Sequence, residues 1–216
     1  MIKPIKNAVK YFLRKVNIAG PYFLRKAGPL KEDGWFRSFI VEEAVDGEGN
    51  PLPWITYPTI DFLKQRLRPD MTIFEYGCGW STLWWASKVR EVVSVEHDKE
   101  WHDKIRRLAP QNCRIYHLAL EYGGAYSRKV AEFDAAFDII VIDGRDRINC
   151  AMNALKALKP GGVIIWDNSD REAYELGYRF LFQRGFRKIE FIGLAPLINF
   201  KSETSIFYRS ENCLGI

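Results

Sequence analysis

Beyond residue 70, short β-branched or aromatic runs alternate with stretches of helical periodicity. The strand-like runs are TIFEY (72–76), EVVSVE (91–96), RIYHL (114–118), DIIVID (138–143) and GVIIWD (162–167). The helical stretches lie near residues 81–89, 99–108, 148–158 and 171–184. DIIVID and GVIIW are continuously apolar, which is typical of strands buried on both faces. This alternation predicts βαβ units and a parallel sheet with helices on both faces.

The pattern changes near the C-terminus. RKIEFIG (187–193) and TSIFYR (204–209) are strand-like runs joined by a loop that contains Pro196. The loop is too short for a crossover helix, so these two strands should be antiparallel. The sequence therefore predicts a doubly wound α/β sheet closed by an antiparallel hairpin.

The first 70 residues are less regular. Residues 1–34 carry scattered glycine and proline and predict a short helix followed by a loosely structured connector. DGEGNPLP (46–53) predicts a loop, and apolar residues at three- and four-residue spacing predict a helix over 59–67. We divide the chain into an N-terminal arm (1–34) and one domain (35–216), whose first 36 residues form a cap and a lead-in helix.

The positive charge is concentrated in the arm. The chain has 32 Lys and Arg against 27 Asp and Glu, and residues 1–31 hold eight basic and no acidic side chains. The rest carries 24 basic and 27 acidic residues, a net charge of −3, so we expect no nucleic-acid partner. Cations interleaved with apolar residues such as Ile5, Phe12 and Val16 predict a basic amphipathic helix within residues 1–30. It would lie on an anionic membrane or dock a partner; a solvated or dimer-packing tail explains the pattern equally well.

The spacing of the cysteines and the hydropathy of the chain bear on the cellular compartment of the protein. The four cysteines are widely separated and form no C-x-x-C pair, which argues against a zinc site or a disulfide framework. No apolar run approaches the roughly 20 residues that span a bilayer, and the N-terminus lacks a continuous signal-peptide core. We expect a reduced, cytoplasmic protein, for which an oligomer is one option.

A glycine turn follows the first predicted strand, in the sequence EYGCGWS. Gly77 and Gly79 permit a tight turn and a close approach of ligand to backbone, and Ser81 stands where the next helix begins. A dinucleotide-binding G-x-G-x-x-G would need Gly or Ala at the position of Thr82. Glu75 favours a ligand with an ammonium group, which its carboxylate would face. Glycines that serve only the turn are the alternative.

An acid also ends the second predicted strand. Glu96, followed by His97, lies about 20 residues beyond the glycine turn, where a carboxylate binds ribose hydroxyls in Rossmann-like folds. Asp98 is a candidate N-cap for the next helix. With the glycine turn, Glu96 predicts a ligand that carries a ribose, and His97 by itself is typical of a surface or capping residue.

The fourth and fifth predicted strands end in further polar residues. Asp143 follows DIIVI, and Asp167 and Asn168 follow GVIIW. Adjacent parallel strands end about 5 Å apart, so these side chains can converge. Three oxygen donors suit Mg²⁺ or a similar ion. Alternatively, Arg145 and Arg147 neutralise the carboxylates, or these residues merely cap the following helices.

Together these motifs resemble the class I S-adenosylmethionine-dependent methyltransferases. The resemblance rests on E-x-G-x-G, the acid at the second strand tip, FDIIVIDG and LKPGGVII, and covers about residues 57–209. It implies a Rossmann-like, seven-stranded, mostly parallel sheet in the order 3-2-1-4-5-7-6, with the last strand antiparallel. It also implies that Glu75, Gly77 and Gly79 hold the methionine moiety of S-adenosylmethionine and that Glu96 takes the ribose diol.

Chain upstream of the first strand commonly covers the cofactor in this superfamily, so Tyr57 is a candidate contact, with helix packing as the equal alternative. The adenine-contacting position falls near His117, which is not acidic. The segment 119–136 is the candidate substrate-facing loop by position. The predicted cofactor-binding residues are Tyr57, Glu75, Gly77, Gly79, Ser81, Glu96, His97 and Asp143.

The polar residues after the fourth and fifth strands resemble those of the catechol and caffeoyl-type metal-dependent O-methyltransferases. That group has a lysine nearby as a candidate base, where this chain has Arg145. Arginine stays protonated, so it would orient an anionic substrate. The resemblance implies Asp143 and Arg145 as catalytic residues, and Asp143, Asp167 and Asn168 as ligands of Mg²⁺ or another divalent cation.

The predicted reaction is methyl transfer to an oxygen of a small-molecule or glycan-like acceptor, which is positioned beside the methyl donor and deprotonated by a metal or a carboxylate. No N-P-P-Y or D-P-P-Y follows the fourth strand, which disfavours methylation of the adenine amino group. An NAD(P)-dependent oxidoreductase is an alternative that Thr82 disfavours. A non-catalytic interaction protein on a degenerate methyltransferase scaffold is another, which the acids at the strand tips disfavour.

Overall fold

The computed structural model describes residues 10–216, which contain a seven-stranded sheet in the order β3-β2-β1-β4-β5-β7-β6. β7 is antiparallel to both of its neighbours, β5 and β6, and the other pairs are parallel. The predicted fold class and strand order are therefore confirmed. The strands are β1 (Thr72–Tyr76), β2 (Glu91–Glu96), β3 (Cys113–His117), β4 (Phe137–Ile142), β5 (Leu158–Asp167), β6 (Arg187–Gly193) and β7 (Ser202–Tyr208).

The alternation of side chains along the strands builds a core on each face of the sheet. Phe74 and Tyr76 of β1 pack into one core, around Trp166, while Ile73 packs into the other, around Trp85. β1 is buried along its whole length, including Glu75. The central strands are thus rigid supports for the residues that follow their carboxyl ends.

Helices cover both faces of this sheet. They are α1 (Ala19–Lys26), α2 (Pro29–Glu32), α3 (Trp35–Val41), α4 (Tyr57–Lys64), α5 (Trp80–Ala86), α6 (Lys99–Leu108), α7 (Ala125–Arg128), α8 (Arg147–Ala154) and α9 (Glu175–Phe182). Helix α6 has the predicted bounds, with Asp98 as its N-cap accepting from the backbone N–H of Trp101 at 2.8 Å. The helix predicted over 171–184 begins later because one 3₁₀ turn, Glu172–Tyr174, precedes α9.

The prediction of a loosely structured connector in the arm is wrong, because the described part of the arm is largely helical. Residues 10–15 are also helical, and residues 1–9, with part of the predicted amphipathic helix, lie outside the described residues. Helix α3 joins this region to the domain, since the indole N–H of Trp35 donates to the carbonyl oxygen of Ile198 at 2.7 Å. Within residues 10–216, no helix is both long and apolar enough to cross a membrane.

Candidate active site

A cavity of about 860 Å³ opens where β1, β2, β4 and β5 end. Parallel strands place their carboxyl ends at one edge of the sheet, and ligands of open α/β folds bind in the crevice outside that edge. The cavity brings together six of the predicted cofactor-binding residues: Gly77, Gly79, Ser81, Glu96, His97 and Asp143.

The two glycines of the turn after β1 differ in what a side chain at each position would meet. Gly77 has φ +88°, and a Cβ there would lie 3.0 Å from the Cα of Gly144, so both the conformation and the close packing exclude a side chain. A Cβ on Gly79 would meet no protein atom closer than 3.8 Å. Packing within the protein does not require a glycine there. The open space over Gly79 belongs to the cavity and fits the close approach of a ligand.

Glu75 lies elsewhere than predicted. Its carboxylate is fully buried beneath the turn and accepts hydrogen bonds from the Trp85 indole N–H and the Ser94 hydroxyl, both at 2.9 Å, and from the Thr82 hydroxyl. Burial raises the pKa of Glu75, and these hydrogen bonds oppose the rise. The side chain does not line the cavity. The expected contact with a cationic ligand is therefore corrected: Glu75 braces the start of α5 against β2.

Glu96 occupies the predicted place at the end of β2. One carboxylate oxygen accepts the backbone N–H groups of His97 and Asp98 at 2.7 and 2.8 Å, and the other accepts that of Cys78 at 3.1 Å. The first oxygen also lies 2.7 Å from His97 Nδ1, and the second oxygen, which accepts only from Cys78, keeps one acceptor position for a ligand hydroxyl. Three backbone N–H groups hold the carboxylate in place beside the glycine turn.

Tyr57 is not brought to this cavity. It begins α4, is 94% buried, and lines a separate cleft with Asp33 and Asp46. The segment 119–136 does not line the large cavity either. Tyr126 from this segment is fully buried, and the backbone N–H of Arg145 lies 3.4 Å from its hydroxyl. Tyr57 and Tyr126 each belong to one of the two hydrophobic cores, so both rings serve packing.

Arg147 links the residues that follow β4 and β5. Its guanidinium donates to the Asp143 carboxylate at 3.1 Å, to the Asp143 carbonyl oxygen at 3.2 Å, and to the backbone carbonyl oxygen of Asp167. Its Nε donates to the carbonyl oxygen of Gly144 at 2.9 Å. The arginine is largely buried, and Tyr174 lies against it with 5.4 Å from the guanidinium carbon to the ring centroid. The cation therefore fixes the two strand ends relative to each other.

The two aspartates are electrostatically coupled. Burial and the neighbouring Asp167 raise the pKa of Asp143, while the Arg147 guanidinium opposes the rise. Burial also raises the pKa of Asp167 to about 6, against the hydrogen bond that its carboxylate accepts from the Thr204 hydroxyl at 2.5 Å. Both carboxyl groups thus release their protons at higher pH than exposed aspartates do.

The donor set does not fit the predicted metal site. Asp143 is paired with the Arg147 cation, and one oxygen of Asp167 is taken by Thr204. The amide nitrogen of Asn168 lies 3.5 Å from the Ser202 hydroxyl. Across residues 10–216, no group of three His, Cys, Asp or Glu side chains is arranged to hold a metal ion. The Arg147 cation already offsets the negative charge here, and a divalent cation would bring further positive charge beside it, so we assign these residues no metal-dependent step.

Comparisons with known proteins agree with this geometry. Residues 74–169 match the model of a family described as a methyltransferase domain. They include the glycine turn, Glu96 and the residues that follow β4 and β5, and the fold has the strand order implied by the resemblance. The central part of the chain is therefore similar to a methyltransferase domain. No curated protein sequence matches the chain.

Solved structures give the same fold at low sequence identity. A precorrin-6y C5,15-methyltransferase from Geobacter metallireducens has a TM-score of 0.57 at 12% identity, covering 80% of this chain and 96% of its own. A methyltransferase from Pyrococcus furiosus has a TM-score of 0.51 at 17% identity, covering 83% and 94%. Spermidine synthase from Thermotoga maritima has a TM-score of 0.54 at 17% identity, covering 69% of this chain and 56% of its own, so this chain spans little more than half of that enzyme.

Sequence reasoning missed one part of this candidate site. The β6–β7 loop lines the cavity with Leu197, Ile198 and Phe200. The predicted antiparallel hairpin was a usable signal, because it makes β6 parallel to β5 and brings this loop to the same edge. Trp80 also lines the cavity, and its indole N–H is buried without a hydrogen-bond partner among the described residues. It can donate to a carboxylate or carbonyl oxygen of a bound ligand.

Proposed function

We propose that this protein transfers the methyl group of S-adenosylmethionine to an oxygen of a small-molecule or glycan-like acceptor. The observation that carries the proposal is one cavity that joins the glycine turn and Glu96 to a carboxylate–guanidinium pair at the neighbouring strand ends. When bound, S-adenosylmethionine supplies an electrophilic methyl group on its sulfonium.

The residues after β1 and β2 are the proposed cofactor half of the cavity. The remaining acceptor position of Glu96 would take a ribose hydroxyl, and the space over Gly79 would admit the cofactor beside the backbone. The unpartnered indole N–H of Trp80 would donate to the methionine carboxylate. Ser81 and His97 line the same half.

The residues after β4 and β5 are the proposed acceptor half. Asp143 would take the proton of the acceptor hydroxyl, since its side chain is 23% exposed and only one of its oxygens is paired with Arg147. The raised pKa of Asp143 brings the carboxylate nearer to the range in which a base works at neutral pH. Arg145 is exposed at the cavity and makes no ion pair among residues 10–216, so it would orient an anionic group of the acceptor.

Thermal-shift measurements test the cofactor part of the proposal. S-adenosylmethionine and its demethylated product should each raise the melting temperature, and NAD should not. Stabilisation by NAD alone would favour the oxidoreductase alternative. No stabilisation by any of the three would favour the interaction-protein alternative.

Methyl transfer tests the acceptor part. With methyl-labelled S-adenosylmethionine and a panel of hydroxyl compounds and their amine analogues, label should pass to hydroxyl acceptors. Asp143→Asn should slow the transfer by about a hundredfold or more, the usual contribution of a general base. The matched control is Asp134→Asn, which changes an exposed aspartate before β4, at the opposite edge of the sheet, and should leave the rate unchanged. Transfer to amines alone, or full activity of Asp143→Asn, would contradict the proposal.

A further inference from the structure

The described part of the arm has a surface that packing does not explain. Residues 10–31 contain six basic side chains and no acidic one. No residue of α1 is buried. Seven large apolar side chains are between 40 and 63% exposed: Tyr11, Phe12, Val16, Ile18, Tyr22, Phe23 and Leu24. So many exposed apolar side chains within one short segment are typical of a site of interaction.

Basic and aromatic side chains share this surface. The ammonium group of Lys10 lies 5.4 Å from the ring centroid of Phe23, and that of Lys26 lies 5.8 Å from the ring centroid of Tyr22. Tyrosine and phenylalanine rings with adjoining lysines are the side chains that settle at the boundary between lipid headgroups and acyl chains. Their long alkyl stems let lysines keep their charge in the headgroup layer.

We propose that residues 10–31 bind the surface of an anionic lipid bilayer, with the cations on the headgroups and the aromatic side chains in the interface. Charge complementarity favours this occupant over a second copy of the chain, because each of two such surfaces would bring six cations to the interface, where they would repel each other. The exposed aliphatic side chains of Val16, Ile18 and Leu24 favour a bilayer over a nucleic acid, which would use the cations and the aromatic rings but not these. This binding is independent of the proposed methyl transfer.

The place where the arm joins the domain gives the contact a consequence. Trp35 of α3 donates to the carbonyl oxygen of Ile198, which lines the large cavity. Trp35 directly follows the arm, so the arm joins the domain at the rim of the candidate active site. A bilayer held by residues 10–31 would be close to the opening through which an acceptor enters.

Vesicle sedimentation of the full chain tests the proposal, with vesicles of phosphatidylcholine alone and of phosphatidylcholine with phosphatidylglycerol. The charge variant is Lys10→Gln, Arg14→Gln, Lys15→Gln, Arg25→Gln and Lys26→Gln. The apolar variant is Phe12→Ser, Tyr22→Ser, Phe23→Ser and Leu24→Ser. The matched control neutralises five exposed cations of the domain, Lys88→Gln, Arg90→Gln, Arg106→Gln, Lys156→Gln and Arg187→Gln. None of these positions is in the core, so circular dichroism should show all three variants folded.

Wild type and the matched control should sediment with the anionic vesicles and not with the neutral ones. The charge variant should bind at least about a hundredfold more weakly, since each cation near an anionic surface changes partitioning roughly fivefold. The apolar variant should also bind more weakly, by at least tenfold. The proposal is overturned if wild type does not bind anionic vesicles, or if the charge variant binds like the control. It is also overturned if light scattering finds that wild type forms dimers which the charge and apolar variants do not form, while none of these proteins binds lipid.

Discussion

The Arg147 cross-link between the ends of β4 and β5 makes a prediction whose size follows from its contacts. In Arg147→Met the side chain keeps its packing against Tyr174 but loses one charged hydrogen bond, to Asp143, and three to backbone carbonyl oxygens. A hydrogen bond to a charged group is worth about 1.5 to 3 kcal/mol, and carbonyl oxygens beside an open cavity can rebind water. We therefore expect unfolding free energy to fall by about 3 kcal/mol. For a chain of this length that lowers the melting temperature by roughly 6 to 12 °C.

The loss should depend on pH, with a definite sign. Arg147 opposes the upward shift in the pKa of Asp143, so in the variant that pKa rises further. A carboxyl group whose pKa is higher in the folded state keeps its proton there after the unfolded chain has released it. Stability is then lost as pH rises from the unfolded value, about 4, through the folded one. The gap between wild type and Arg147→Met should therefore be larger at pH 8 than at pH 5.5.

Urea denaturation followed by tryptophan fluorescence measures both quantities, because Trp85 and Trp166 are fully buried. The matched controls are Asp143→Asn and the double variant. The double variant should be less destabilised than the sum of the single ones, with a coupling of about 2 kcal/mol. A cost below about 1 kcal/mol for Arg147→Met, or a cost independent of pH, would refute the pairing of these residues.

Three further predictions concern the same cavity. Gly77→Ala should lower unfolding free energy by about 1 to 3 kcal/mol, because φ is +88° and a Cβ would press on Gly144, and an unchanged urea midpoint would contradict this. Gly79→Ala should leave the unfolding free energy unchanged, because no protein atom lies within 3.8 Å of the added Cβ. Calorimetry should nevertheless show that the variant binds S-adenosylmethionine more weakly, and equal affinity would place the cofactor elsewhere. Cofactor-loaded wild type should show no saturable calorimetric binding of Mg²⁺, Mn²⁺ or Ca²⁺ at millimolar ion, because Arg147 already pairs with Asp143. Saturable binding that is lost in Asp167→Ala would support the metal site instead.

The fold was predictable because the residue types within each strand indicate a strand without reference to its neighbours. β1, β2 and β6 have the predicted bounds, since each is rich in β-branched and aromatic residues. β5 begins at Leu158, before the predicted start at 162, because its first residues pair with β4 through an irregular register at Phe137. Such irregularities depend on the neighbouring strand and leave no periodic trace in the sequence.

The site was predictable only for residues whose place follows from the sheet topology alone. Glu96 follows a strand end directly, so topology alone brings it to the cavity. Glu75 lies within β1, and its direction depends on whether Thr82, Trp85 and Ser94 supply donors beneath the turn. That depends on packing between α5 and β2, which a sequence motif does not specify. The place of Tyr57 depends on packing in the same way, because the orientation of α4 decides which cleft its ring lines.

The central claim is that the half of the cavity around Glu96 binds S-adenosylmethionine. Calorimetric titration of S-adenosylmethionine into wild type, Glu96→Gln and Glu91→Gln tests it most directly, since Glu91 is a glutamate at the other end of the same strand, paired with Arg114 at 2.7 Å. We expect Glu96→Gln to weaken binding by roughly 2 kcal/mol, about thirtyfold, because an acceptor for the ribose hydroxyls is lost. Glu91→Gln should bind like wild type. Equal affinity of all three folded proteins, or no binding by wild type, would contradict the account.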